Sequence, residues 1–248
     1  MEPLSGTSLR LGWWNTHLHG MGVGAPEVEL ARAVLDERFG ANHCAAVALC
    51  EVDPSLDRAL SGSDLDTRRS DDPHEHVVVL FDPVRVGVEF TRTLRTMRGD
   101  RNDRAATFFA LEPPGLIPFT LAACHWFALG NRGDQDDVRQ SHLRCGGDLL
   151  QELRREGEDG AAVVLGDFNE EPFDGALRAI STQDRGRVRH DLLYNLSWRW
   201  LGSKEPFHAA SSQGETSAGT YLLRNGYDSR WRTLDQALVS QALLRGSG

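Results

Sequence analysis

The run Cys44-Ala45-Ala46-Val47-Ala48-Leu49-Cys50-Glu51-Val52 constrains what this chain can fold into more than any other stretch. It is apolar almost without interruption over the length of one strand, the pattern of a strand covered on both faces. Such a strand needs a layer on each side. Ala161–Leu165 is a second run of the same kind, and Leu9–Asn15 reads as an opening strand. Further strands are expected at His76–Phe81, Val84–Leu94, Ala106–Leu111 and Phe119–Phe127, the first two joined tightly through Asp82-Pro83. Late strands follow at Gly219–Arg224 and Leu234–Ser240.

Helical patterns interleave with these runs. Pro26–Phe39 sets Val28, Ala31, Leu35 and Phe39 on one face, with Pro26 suited to the first turn and Gly40 to the stop. Asp134–Glu156 reads as the longest helix, with Asp136 and Asp137 in its first turn and Arg154 and Arg155 in its last, although Gly146-Gly147 weakens its middle. Residues 53–75 are polar and read as a loop or short helix. Without repeats or a linker, this alternation is expected to give one α/β domain over residues 1–248, long enough to bury a core.

A net charge of −9 removes any whole-surface attraction for nucleic acid or anionic membrane, so such contacts would need a local groove, for which Arg68-Arg69 and the arginines from Arg95 to Arg104 are candidates. Cys44, Cys50, Cys124 and Cys145 lie mostly in apolar runs without metal-finger spacing and read as core residues. The start of the chain shows no signal-peptide pattern and no run reaches transmembrane length; the expectation is a soluble, cytoplasmic protein.

Polar side chains recur at strand ends: Asn15, Glu51, His125, Asp167 and Asn169, with Asp235 at the start of the last run. With the last strand antiparallel to a neighbour, these ends are expected to meet at one rim. Oxygen donors of this kind suit a hard cation, Mg²⁺ first and Mn²⁺ or Ca²⁺ as alternatives, and a single imidazole is poor for zinc. A hard cation held by few carboxylates points to phosphoryl chemistry, with His125 able to serve as acid or base. Structural readings stand beside these: Asp167 and Asn169 are also turn formers, and a lone His in an apolar strand is often a core residue. Glu51 resists that reading, because a carboxylate against a buried run is costly unless paired or metal-bound. His17, His19, His74, His76 and His142 read as surface or loop residues, and Trp198, Trp200 and Trp231 as packing residues.

Taken in order, the segments Leu11-Gly12-Trp13-Trp14-Asn15, Ala48-Leu49-Cys50-Glu51-Val52, Ala123-Cys124-His125-Trp126, Gly166-Asp167-Phe168-Asn169 and Trp231 to Ser240 resemble the motifs of the endonuclease/exonuclease/phosphatase (DNase I-like) superfamily. The resemblance implies a four-layer α/β sandwich of two mixed β-sheets flanked by helices. It also implies a metal site at Asn15, Glu51 and Asp167, and catalytic roles for His125, Asp167, Asn169 and Asp235. A divalent-metal-dependent phosphoesterase follows, acting on phosphodiesters and on nucleic acid before small molecules. The alternatives are a phosphomonoesterase acting on a small or lipid-derived phosphate, and a catalytically silent interaction module. The family's last strand, introduced by Ser-Asp-His, has no counterpart in the sequence. The expectation is therefore a C-terminally short member with impaired activity: a truncated chain, a degenerate one, or one whose sheet edge a partner chain completes.

Overall fold

The computed structural model describes residues 8–18, 24–40, 44–60, 64–70, 77–98, 101–128, 135–155, 160–187, 192–199, 201, 220–223 and 230–245. Two compact units emerge, one of residues 1–93 with 107–123 and the other of residues 94–106 with 124–248.

In the first unit, β1 (Leu11–Asn15) leads to α1 (Ala25–Gly40), β2 (Ala46–Cys50), α2 (Pro54–Leu60), β3 (Asp66–Arg69) and β4 (Val78–Phe81). The four strands form a mixed sheet in the order β1-β2-β4-β3, with β1 parallel to β2 and the other pairs antiparallel. All five residues of β2 are buried, as its apolar run requires. Alternation along the strands sends Val47, Leu49, Val78 and Leu80 to one face, where they pack with Ala31 and Leu35 of α1 and Leu56 and Leu60 of α2. The expected stripe of α1 is thus its buried face, with Val28 and Phe39 half-buried against the same cluster. The reading of 53–75 as a loop or short helix needs one addition. Asp-Thr-Arg-Arg forms edge strand β3, whose polar residues blunt the unpaired edge of the sheet.

The long strands β5 (Gly87–Arg98) and β6 (Arg101–Glu112) run on past the ends of the expected apolar runs at Leu94 and Leu111, whereas β7 (Phe119–His125) stops two residues short of the expected Phe127. After α3 (Gln135–Arg155) come β8 (Ala162–Asp167), α4 (Gly175–Ile180), β9 (Ser181–Thr182), β10 (Leu193–Asn195), the ribbon β11 (Tyr221–Leu223) with β12 (Arg230–Arg232), β13 (Asp235–Val239) and α5 (Gln241–Arg245). Seven strands form a second mixed sheet in the order β5-β6-β7-β8-β13-β10-β9. The last of the described strands, β13, is therefore not an edge. It runs antiparallel to β8 on one side and to β10 on the other.

Helix α3 buries Val138, Ser141, His142, Cys145, Gly146, Leu149, Leu150 and Leu153, one continuous 3.6-residue stripe. Gly146 sits on this stripe where a Cβ would meet Ile180 at 3.3 Å and Trp126 at 3.5 Å, so it allows α4 to approach rather than merely weakening the helix. All four cysteines are free and buried. Burial pushes the Cys145 thiol up to about 11 and that of Cys124 well above the ordinary value, so both stay protonated and inert. Among the described residues no helix is long and apolar enough to cross a membrane.

Gly166 marks the tightest approach in the second unit. A Cβ there would fall on the Cys124 carbonyl and 2.6 Å from the Cys124 Cβ, so the glycine of the Gly-Asp-Phe-Asn motif lets β8 and β7 meet main chain to main chain. Gly166→Ala is expected to destabilise the protein by about 1–3 kcal/mol or more through overpacking. Gly147→Ala, at a helical position with nothing within 4 Å, is expected to stabilise it by up to about 1 kcal/mol. Urea melts of the two variants should shift in opposite directions; a Gly166→Ala midpoint equal to wild type would contradict the close approach.

Candidate active site

In the first unit the parallel strands β1 and β2 end side by side, with Asn15 in register with Cys50 and Glu51 following. The Asn15 amide donates to Glu51 Oε1 at 3.2 Å. Chain exit from β1 is stitched to the end of β2 by Thr16. Its N–H donates to the Cys50 carbonyl at 3.0 Å, and its hydroxyl lies 2.7 Å from the Glu51 carbonyl oxygen. These bonds hold Glu51 in a left-handed conformation, φ 53°, which residues other than Gly, Asn and Asp seldom adopt.

His17 shares that conformation, donates its N–H to Asn15 Oδ1 at 3.1 Å and brings Nδ1 to 3.4 Å from Glu51 Oε2. The reading of His17 as a mere surface residue is corrected on that point. Its ring is exposed, but it faces the Glu51 carboxylate. A signal was available, because His17 lies two residues beyond the strand-end Asn15.

In the second unit Asp167, Asn169, His125 and Asp235 are brought together by β7, β8 and β13. Asp167 is buried at the end of β8, and Asp235 is its direct partner across the antiparallel β8–β13 ladder. Two like charges set opposite each other are unfavourable in a sheet, so this pairing is not explained by stability. His125, half-buried at the end of β7, precedes Trp126, whose N–H donates to the Asp167 carbonyl at 2.9 Å. Asp167 Oδ1 accepts the Asn169 N–H at 2.9 Å, and the Asn169 amide donates to the Trp126 carbonyl at 2.8 Å. Asn169 is itself left-handed, φ 51°. The turn-former reading of Asp167 and Asn169 thus describes their local bonds correctly and leaves their chemistry open.

The segment after Asn169 is anchored on both sides. Glu171 accepts from Arg232 Nε at 3.1 Å and from the Thr233 N–H at 2.9 Å. Gln236, buried in β13, donates to the Glu170 carbonyl at 2.7 Å and accepts from Asn195 at 2.7 Å. The Thr220 hydroxyl accepts the N–H groups of Leu234 and Asp235. His142 is corrected more fully than His17. It is a core residue of α3, 1% exposed, with Nδ1 2.9 Å from Glu170 Oε1. Trp198 is half-buried, in keeping with a packing role. His19, His74, His76, Trp200 and the side chain of Trp231 lie outside the described residues.

The donor set fits a hard cation by its chemistry. Glu51 offers a partly exposed carboxylate, and Asn15 carries an amide oxygen that here accepts the His17 N–H while its amide nitrogen donates to Glu51. Among the described residues no group of three or more His, Cys, Asp or Glu side chains could hold a metal ion by itself. A cation at Glu51 would accordingly keep several waters or take oxygens from a substrate. A cavity of about 520 Å³ in the first unit, lined among others by Asp66, Arg68, Phe81 and Glu89, includes none of the candidate residues.

No family model matches the chain, and no curated protein matches its sequence. Solved structures do. The catalytic domain of human Nocturnin with bound sulfate anion is 20% identical with a TM-score of 0.58, over 94% of this chain and 83% of that one. D. rerio TDP2 complexed with single strand DNA product is 16% identical, TM-score 0.60, covering 94% and 84%. An endonuclease/exonuclease/phosphatase family protein from Bacteroides thetaiotaomicron is 11% identical, TM-score 0.58, covering 94% and 81%. The chain shares the fold of these structures. At these identities the likeness concerns the fold, and two mixed sheets with helices agree with it.

A left-handed residue with a Cβ is strained, and removing its side chain relieves the strain only if glycine replaces it. Glu51→Gly is therefore expected to be more stable than Glu51→Ala by about 1 kcal/mol. Thermal melts of the two variants measure the difference; equal stability would contradict the left-handed geometry at Glu51.

Proposed function

We propose that this chain is a divalent-metal-dependent phosphoesterase that hydrolyses phosphodiester bonds, nucleic acid being the first substrate class to test. One observation carries the reading. The non-glycine residues in left-handed conformation among the described residues are His17, Glu51 and Asn169, and each is a candidate site residue or a neighbour of one. Strain of this kind collects at functional sites because the surrounding structure must over-determine it. The resemblance of the sequence motifs and the superfamily fold support the same reaction class. Among the fold neighbours, the TDP2 structure holds a single strand DNA product and the Nocturnin domain a sulfate anion.

In this reading Glu51 and Asn15 hold the cation, Mg²⁺ first and Mn²⁺ or Ca²⁺ as substitutes. The cation, when bound, supplies polarisation of the phosphoryl oxygen and offsets charge developing in the transition state. Asp167 orients a water and accepts its proton as the new bond to phosphorus forms. Asn169 and His125 contact the phosphate oxygens, and Asp235 orients Asp167 or the imidazole. The ester bond breaks and its oxygen leaves with a proton that His125 donates. The place of Asp235 directly across the β8–β13 ladder from Asp167 favours this assignment.

The test incubates the full chain with Mg²⁺ or Mn²⁺ and plasmid, single-stranded DNA, RNA, bis-p-nitrophenyl phosphate and p-nitrophenyl phosphate. Turnover should fall by about 10²–10⁴ in Asp167→Asn. Equal rates in wild type and variant would remove Asp167 from the chemistry. A wild type silent on every ester would instead favour an interaction module. Calorimetric titration with Mn²⁺ provides a second readout, with Glu51→Gln expected to bind more weakly than wild type.

A further inference from the structure

We propose that His142 and Glu170 are positioning residues, a buried pair that fixes the Asp167–Asn169 turn in its working geometry. The inference rests on the phosphoesterase reading and deepens it. His142 stands mid-helix in α3, and Glu170 follows the Gly-Asp-Phe-Asn motif. Their side chains are 1% and 4% exposed. Burying two ionisable groups is expensive, and an apolar pair of similar shape is commonly as stable or more so. The pair therefore calls for a reason beyond the core it occupies.

Its bonds supply one. His142 Nε2 lies 2.9 Å from the Phe127 carbonyl oxygen, which can only accept, so Nε2 carries a hydrogen. Nδ1 faces Glu170 Oε1 at 2.9 Å, so both ring nitrogens meet acceptors and one proton is held between imidazole and carboxylate. The second Glu170 oxygen accepts the Ala176 N–H of α4 at 3.3 Å. One side chain pair thus ties together α3, the exit of β7, the turn after β8 and the start of α4.

The candidate residues lie one residue from these anchors. Phe127 follows Trp126, whose carbonyl holds the Asn169 amide and whose N–H holds the Asp167 carbonyl. Glu170 follows Asn169 directly. Rings complete the clamp, with Trp126 5.3 Å from the His142 ring centroid and 4.9 Å from that of Phe168. Asn169 is held left-handed between two segments that both end on His142. Displacing reacting groups by about 1 Å can cost about 10²-fold in rate, so this pair would act on kcat without touching the substrate.

The decisive variant removes both partners at once: His142→Leu with Glu170→Met leaves no buried charge and nearly conserves volume. A pair that only stabilises predicts a folded variant with wild-type kinetics. The positioning role predicts a folded variant in which kcat on bis-p-nitrophenyl phosphate with Mn²⁺ falls about 10–100-fold while KM changes less than about twofold. Glu170→Gln, which keeps the shape, answers the same question should the double variant fail to fold. A folded variant of either kind with wild-type kcat overturns the positioning role and leaves the phosphoesterase reading intact. A wild type inactive on every ester overturns that reading, and this proposal with it.

Discussion

The close approach of β7 and β8 at Gly166 governs the second unit. With no Cβ between them, the strands run near enough for the Cys124 carbonyl to lie where any side chain would stand. The chain leaves both strands in step from there. Trp126 donates to Asp167 directly beyond the contact, and Asn169 returns a bond to Trp126. A larger residue at 166 would separate the strands and every bond that depends on their spacing. Asp167 is thus placed by a missing side chain one position before it.

Strand ends in both units carry features that cost stability, left-handed Glu51, His17 and Asn169 and opposed Asp167 and Asp235, and a buried pair joins His142 of α3 to Glu170 just after the β8 turn. The regular elements behind them are conservative by comparison. β2 and β4 are fully buried, and α3 has an uninterrupted apolar stripe apart from Ser141 and His142. This contrast is what a rigid scaffold presenting strained groups looks like. The core holds what the strand ends would not hold alone.

Much of this architecture is legible in the sequence for a simple reason. Strands buried on both faces, such as β2 and β8, announce themselves as apolar runs, and α3 announces itself through its charged ends and periodic stripe. The candidate residues are legible because they interrupt or end those runs. What escapes follows the same logic. Edge strand β3, Asp-Thr-Arg-Arg, buries too little to leave a pattern. His142 looks like a surface residue because its partner lies far along the chain, although its place on the stripe between Val138 and Cys145 marks it as inward-facing. His17 meets Glu51 only through a left-handed turn, so its place two residues beyond Asn15 is the one hint the sequence carries.

The position of β13 also bears on how the protein comes to exist. It pairs with β8 across a long intervening stretch that includes β9, β10 and the β11–β12 ribbon. Pairings between segments so distant are slow to form, because the chain must close a large loop before gaining the contact. A ribosome-bound chain would present β8 with one edge bare until residues 235–239 emerge. That interval is when the nascent protein is most open to wrong partners.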